Sequence, residues 1–257
     1  MKLSIIIPYY NKRQILFNTL KSIEHFVGDY PIETIIVDDG SNDQNKIDDY
    51  PSLFPALNIK LLVLSKPTGK WRAPVISYNT GFLNANGNVF MLNGADCMHM
   101  GNMIKYTFDH FKEGMYLSFS SYRGTDELND VFAKLDWNNL DALTASLPKS
   151  SLENWHVHNR FFVKLYPFVA CLSKTDIERL SGYDERYADG VAYDDDDIVD
   201  RITNIGLDIR LVDDPFCLHQ KHPYTQYYSN VNRDLYAYLK KHEPNRTKAL
   251  HNKIYVR

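Results

Sequence analysis

Leu3-Ser4-Ile5-Ile6-Ile7-Pro8-Tyr9-Tyr10-Asn11 is an apolar, largely β-branched run that breaks at a proline and two aromatic rings. Apolar side chains at successive positions are what a strand buried on both faces of a parallel sheet requires, so a strand is expected over 3–7. Downstream, Ile15, Leu16, Leu20, Ile23 and Phe26 recur at helical spacing, and Glu33-Thr34-Ile35-Ile36-Val37-Asp38 reads as a second strand. These segments form one βαβ unit. A strand over 59–64, a helix over 74–84 and a strand over 89–92 repeat the pattern, which predicts a doubly wound α/β sheet.

Beyond residue 100 the periodicity loosens. A helix over 103–111, a strand over 115–121, a helix over 198–205 and a strand over 209–212 surround a polar, aromatic stretch containing Trp155-His156-Val157-His158. With 257 residues and 44% hydrophobic content the chain can bury a substantial core. Its formal charge of -3, from 29 basic and 32 acidic residues spread along the chain, gives no attraction for a polyphosphate backbone and argues against nucleic-acid binding. Cys97, Cys171 and Cys217 are odd in number and widely spaced, which fits neither a disulfide framework nor a Cys-rich zinc site and points to a reducing compartment. The opening apolar run is too short for a signal peptide, and no window approaches the ~20 apolar residues of a transmembrane segment. A cytoplasmic protein is expected, free to dock on a membrane or a larger assembly.

In an open parallel sheet, ligands bind beyond the carboxyl ends of the strands. The residues there are Pro8-Tyr9-Tyr10, Asp38-Asp39-Gly40-Ser41 and Asn93-Gly94-Ala95-Asp96. A tyrosine ring offers a flat face to a nucleobase, and a carboxylate can accept from a base N–H or from ribose hydroxyls. Taken alone, Asp38-Asp39-Gly40-Ser41 reads more readily as a turn with a helix cap. The first βα turn lacks Gly-x-Gly-x-x-Gly, and Gly-x-x-x-x-Gly-Lys-Ser/Thr is absent from the sequence, so phosphates must be neutralised by other means. A divalent cation between Asp96 and His219 would serve; mixed oxygen and imidazole ligation suits manganese, with magnesium as the alternative. A single histidine after a strand is more often a partly buried polar group, and His222 and Gln220 leave that choice open.

Tyr193-Asp194-Asp195-Asp196-Asp197-Ile198 is the densest feature. Four adjacent carboxylates repel one another unless partners or a function offset the cost. Helix N-termini stabilise acidic groups, so Asp197 is expected to cap the helix that follows. Another of the four is a candidate general base for an acceptor hydroxyl.

Together, Ser4-Ile5-Ile6-Ile7-Pro8-Tyr9-Tyr10-Asn11-Lys12 and Ile35-Ile36-Val37-Asp38-Asp39-Gly40-Ser41-Asn42-Asp43 resemble the opening of family 2 glycosyltransferases with a GT-A fold. The resemblance continues through Asn79-Thr80-Gly81, Ala85-Asn86-Gly87-Asn88 and Gly182-Tyr183-Asp184-Glu185-Arg186-Tyr187 to about residue 222. It implies a single Rossmann-like α/β domain over 1–222 with a mixed, mainly parallel sheet. Residues 1–98 would be the nucleotide-binding half and 99–222 the acceptor and catalytic half, followed by a C-terminal helical tail over 223–257. It also implies that Tyr10 and Asp39 contact the nucleobase, usually uracil, that Asp96 binds the metal, and that Asp195 is the base beside Asp194. Residues 193–198 followed by His219 are similar to the acidic motif and metal-binding histidine of galactosyl- and N-acetylgalactosaminyltransferases, which implies inversion at the anomeric carbon.

Two departures stand out. The family's Asp-x-Asp motif is Gly94-Ala95-Asp96 here, and the arginine that often precedes Asn79 is Tyr78. The missing carboxylate would weaken the metal site unless His219, the donor phosphates or the Asn93 oxygen complete the shell. Lys70 or Arg72 would offset phosphate charge, although lysine and arginine in loops are usually solvated. The leading expectation is an inverting, manganese-dependent enzyme that transfers a hexosyl or N-acetylhexosaminyl group from a UDP-sugar to a hydroxyl of a glycan, glycoconjugate or other acceptor. A sugar-nucleotide-binding protein without activity is the alternative, and a nucleotidyltransferase is disfavoured because Pro8-Tyr9-Tyr10-Asn11 supplies no Gly-rich triphosphate loop. Most of the tryptophans and tyrosines are expected to pack the core.

Overall fold

The computed structural model of the chain describes residues 1–65, 72–223 and 230–249. Lys70, Trp71 and the parts of the C-terminal tail at 224–229 and 250–257 lie outside the described residues. One sheet contains β1 (Leu3–Tyr9), β2 (Ile32–Asp38), β3 (Ile59–Val63), β4 (Val89–Asn93), β5 (Cys97–Met100), β6 (Met115–Arg123), β7 (Trp155–Val157), β8 (Val169–Ser173) and β9 (Asp208–His219). Its order is β3-β2-β1-β4-β8-β6-β9-β5, with β7 added on β6. The pairs β1–β2, β1–β4, β2–β3 and β6–β9 are parallel, and β8 is antiparallel to both β4 and β6. Strands β3, β2, β1, β4, β6 and β9 therefore point one way, against β5, β7 and β8. This is the mixed, mainly parallel α/β sheet that the family resemblance implies.

Helices α1 (Arg13–Phe26), α2 (Tyr50–Leu53), α3 (Val75–Asn84), α4 (Met103–His110), α5 (Asp126–Phe132), α6 (Leu140–Ser146), α7 (Lys174–Leu180), α8 (Asp194–Asn204) and α9 (Val231–His242) cover its faces. Strand β1 shows how the core divides. Leu3, Ile5, Ile7 and Tyr9 pack with Leu16, Leu20 and Ile23 of α1, while Ile6 packs on the opposite side with Val75 and Phe82 of α3 and Ile198 of α8. At Gly81 a β-carbon would stand 2.3 Å from Ile6 Cγ2, so glycine is what lets α3 lie against β1. Among the described residues no helix is long and apolar enough to cross a membrane.

Three elements depart from the sequence expectation. Strand β1 continues through Pro8, because the ladder with β4 ends at Ile6 and Pro8 has no neighbour there to which an N–H would be owed. Helix α8 starts at Asp194 rather than 198. Strand β9 runs far past 212, to His219: its first part pairs with β6, Asp213 to Phe216 sit at a register shift, and its last part pairs with both β6 and β5.

At the end of the sheet away from the strand C-termini, the buried Glu33 carboxylate accepts from Ser4 Oγ (2.6 Å), Asn86 N (2.6 Å), Asn86 Nδ2 (2.9 Å) and Gly87 N (3.1 Å). The Ala85-Asn86-Gly87-Asn88 motif thus fastens the α3–β4 turn to β1 and β2. Burial pushes the Glu33 carboxyl up, but the Ser4 and Asn86 bonds outweigh it and hold it below its ordinary value. The stabilisation is therefore present above the unfolded-state pKa and lost as pH falls below about 4. Glu33→Ala is expected to cost about 2–3 kcal/mol at neutral pH by orphaning these donors. Urea titrations at pH 7 and in acid check both points: the variant should be weaker at pH 7 and lose less on acidification than the parent chain.

Candidate functional site

A cleft of about 220 Å³ opens at the C-terminal ends of β1, β2 and β4. Pro8, Tyr10, Asp39, Arg72 and Asp96 all line it, together with Tyr78. Both consecutive tyrosines line it, but Tyr9 is buried with its hydroxyl donating to Asn45 O (2.6 Å), while Tyr10 is half-buried. The Asp39 amide donates to Tyr9 O (2.8 Å), extending the β1–β2 pairing by one residue and fixing Asp39 at the rim. Its neighbour Asp38 closes the turn by accepting from Ser41 N (2.9 Å), and Gly40, at φ +75°, takes the left-handed conformation of that turn. Turn and cleft functions are thus divided between adjacent aspartates. Arg72 Nε donates to both Asp39 oxygens, at 2.8 and 2.9 Å, and its Nη2 closes on the same carboxylate. The guanidinium therefore orients Asp39.

Asp96 sits where α1 and the end of β9 converge. Thr19 Oγ1 donates to Ala95 O (2.8 Å), Gln220 N donates to Asp96 O (2.8 Å), and Cys97 pairs with His219 across the β5–β9 ladder. Gln220, fully buried, donates to Ile15 O (2.9 Å) and Thr19 Oγ1 (3.0 Å) and accepts from Asn18 Nδ2 (2.9 Å). The segment after β9 is thereby held against α1, with a histidine on either side of the anchor. Asp96, His219 and His222 offer ligand atoms that all lie within 4.8 Å of one another. Lys12 Nζ stands in the same corner, 2.8 Å from Asp96 Oδ2 and 3.0 Å from His222 Nε2.

The electrostatics suit a cation. Burial would raise the Asp96 carboxyl, but the positive charge beside it, foremost the Lys12 ammonium, holds it well below the usual carboxylate range. Burial pushes His219 down against the pull of Asp96, favouring the neutral ring whose nitrogen lone pair a metal needs. His222, undecided in the sequence, joins the cluster; its spacing of three from His219 was the available signal. The Asn93 oxygen proposed as a reserve ligand is engaged instead, 2.8 Å from His99 Nε2, because Asn93 is buried behind the loop. Glycine at 94 has a steric reason: a β-carbon there would lie 2.8 Å from Cys97 Sγ and 2.9 Å from Asp96 Oδ1.

The acidic run forms the first turn of α8, whose peptide N–H groups favour negative charge. Asp194 is buried and Asp195 partly exposed. Burial raises both carboxyls, and the neighbouring carboxylates Asp194 and Asp196 raise Asp195 further, well above the ordinary value. Asp196 accepts from Tyr166 Oη (3.1 Å). Asp197 is not the cap expected of it. Because the helix begins earlier, Asp197 N donates to Tyr193 O, and its carboxylate accepts from Arg201 Nε (2.9 Å) and Arg246.

Tyr78 links the two ends of the site. It lines the cleft, stacks on Tyr183 at 5.0 Å, and its phenol is raised well above its ordinary value by burial and by carboxylates that include Asp195, Asp96 and Asp194. Beside it, Asn79 donates to Tyr183 O (3.0 Å) and accepts from Tyr183 N (2.8 Å), tying α3 to the segment that leads into the acidic turn. Sequence reading marked Tyr78 only as a departure from a family pattern.

Comparisons with known proteins agree with this architecture. The profile described as glycosyl transferase family 2 matches residues 4–168. A dolichol-phosphate mannosyltransferase of Pyrococcus furiosus is 30% identical over 123 residues, which are 47% of this chain and 33% of that protein. A mannosyltransferase of Pyrobaculum calidifontis, solved with GDP-Man and Mn2+, superposes with a TM-score of 0.56 at 19% identity, covering 88% of this chain and 58% of its own. An S. aureus TarS fragment solved with UDP gives 0.60 at 18% identity, covering 87% and 61%. At such identities the structural likeness establishes a common fold, and the chain spans only a third to three fifths of these relatives.

Proposed function

The chain belongs to glycosyl transferase family 2, and from that premise we propose that it transfers a sugar from a UDP-sugar to an acceptor hydroxyl, with inversion and with the help of a divalent cation. The observation that carries this reading is the convergence of Asp96, His219 and His222 on the rim of the cleft that also holds Tyr10 and Asp39. One carboxylate held ionised and two imidazoles form a donor set that fits manganese, with magnesium the weaker match. When bound there, the ion would supply Lewis-acid neutralisation of the departing diphosphate. We assign 1–98 to donor recognition and 99–222 to the acceptor and the chemistry, although His219 and His222 reach back to the donor side. The three buried free thiols fit a reducing, cytoplasmic setting.

The residues divide the work by chemistry. Tyr10 presents a ring face to the base, and Asp39, oriented by Arg72, accepts from the base N–H. Asp195 takes the proton of the acceptor hydroxyl as that oxygen bonds to the anomeric carbon; the carbon–oxygen bond to the diphosphate breaks and its electron pair leaves with UDP. A carboxyl with a raised pKa is a stronger base than an ordinary aspartate, which is what removing a proton from an alcohol demands. The complexes of the two structural relatives, one with GDP-Man and Mn2+ and one with UDP, support a nucleoside-diphosphate donor.

Calorimetric titration of UDP with Mn2+ and with EDTA tests the reading. Manganese is expected to tighten UDP about tenfold or more, a coupling of about 1.4 kcal/mol. Incubation with Mn2+ and each common UDP- or GDP-sugar, reading released nucleoside diphosphate, should single out a UDP-sugar. Metal-indifferent UDP binding without turnover of any donor would favour a sugar-nucleotide-binding protein instead.

A further inference from the structure

Lys12, the residue just before α1, carries a cation into the metal corner. Its Nζ, Asp96 Oδ2 and His222 Nε2 form a near-equilateral triangle with separations of 2.8, 3.0 and 2.9 Å. The His222 ring is set by its other nitrogen: Nδ1 lies 3.0 Å from Pro223 O, which can only accept, so Nδ1 carries the proton. In the neutral ring Nε2 then presents a lone pair toward a carboxylate oxygen. Two acceptors that close need a cation beside them, and an ammonium, with three donors and no acceptor, is suited to the place. The same two atoms belong to the ligand set proposed for manganese.

We propose that Lys12 and the divalent cation are alternative occupants of one seat, and that Lys12 passes from Asp96 and His222 to the donor's diphosphate when the metal–nucleotide complex enters. This rests on the metal-dependent reading above. An ammonium and a divalent ion cannot both lie about 3 Å from one carboxylate oxygen without strong repulsion. Lys12 also lines the donor cleft, so its flexible stem already reaches toward where phosphates would lie. Seat-sharing makes metal and nucleotide binding interdependent: the diphosphate draws the ammonium away, and by reciprocity each ligand strengthens the other.

The test is titration of MnCl2 into the parent chain, Lys12→Met and Lys12→Gln, following free Mn2+ by electron paramagnetic resonance with and without UDP. If Lys12 fills the seat more than nine-tenths of the time, both variants bind Mn2+ about tenfold or more tightly than the parent without UDP. Their gain in Mn2+ affinity on adding UDP shrinks. In EDTA their UDP affinity falls about tenfold, because a charge-assisted bond to phosphate is lost. Equal or weaker Mn2+ binding by both variants overturns the seat-sharing while leaving the metal reading intact. If none of the three proteins binds Mn2+ with or without UDP, yet all bind UDP, the metal reading fails and this inference falls with it.

Discussion

Asp195→Asn is expected to lower the transfer rate by about 100- to 10,000-fold, the usual contribution of a positioned general base, while UDP affinity in the presence of Mn2+ should change by less than about twofold, a shift within ~0.4 kcal/mol. The amide keeps the shape of the side chain at the start of α8 and removes only its capacity to take a proton. The proposed nucleotide contacts, Tyr10 and Asp39, follow β1 and β2 rather than sitting on α8. The pH profile supplies a second signature. Because burial and the neighbouring carboxylates raise the Asp195 carboxyl, it must lose its proton at a higher pH than an ordinary aspartate, near 4, would. Turnover in the parent chain should fall as pH is lowered through that raised value, and the limb should vanish from the residual rate of the variant. Near-full turnover by Asp195→Asn would move the role to Asp194 or Asp196.

Asp96→Ala should cost more than about 100-fold in kcat/KM, since removing even an outer partner of a metal ligand costs 10- to 100-fold. In calorimetry the variant should bind UDP equally with Mn2+ or EDTA. The carboxylate is the sole anionic member of the Asp96, His219, His222 cluster, so its loss leaves two imidazoles and the Lys12 ammonium facing one another. A melting curve that keeps its cooperative transition would show that the loss is local. Retained Mn2+ coupling would show that the ion, if it binds, sits elsewhere.

The parts legible in the sequence share a physical property. Strands β1, β2 and β4 are buried on both faces, so apolar side chains predominate along them, and the sheet direction places their last residues on a cleft. Asp39, Asp96 and the tyrosine pair follow from that geometry. Strand β9 was legible only in part because Asp213-Asp214-Pro215 interrupt it, and a register shift lets pairing resume beyond them. The helix expected from 198, with Asp197 as its cap, begins instead with all four carboxylates: the N–H groups of α8 and the Arg201 and Arg246 guanidiniums around Asp197 offset their repulsion. Lys12 and His222 escaped because each type is usually solvated or a satisfied polar group. Only the folding of the segment after β9 onto α1 brings residues 210 positions apart to 3.0 Å.

The Gln220 anchor has a consequence for anyone recombining this chain with its relatives. Its side chain joins Ile15, Asn18 and Thr19, and Thr19 in turn holds the loop that presents Asp96. Early and late segments of the polypeptide are thus interlocked like a key and its tumbler. A chimera that imports the histidine-bearing stretch without the matching faces of α1 would inherit both imidazoles yet aim them wrongly, so ion preference should travel between homologues only when both ends are exchanged together.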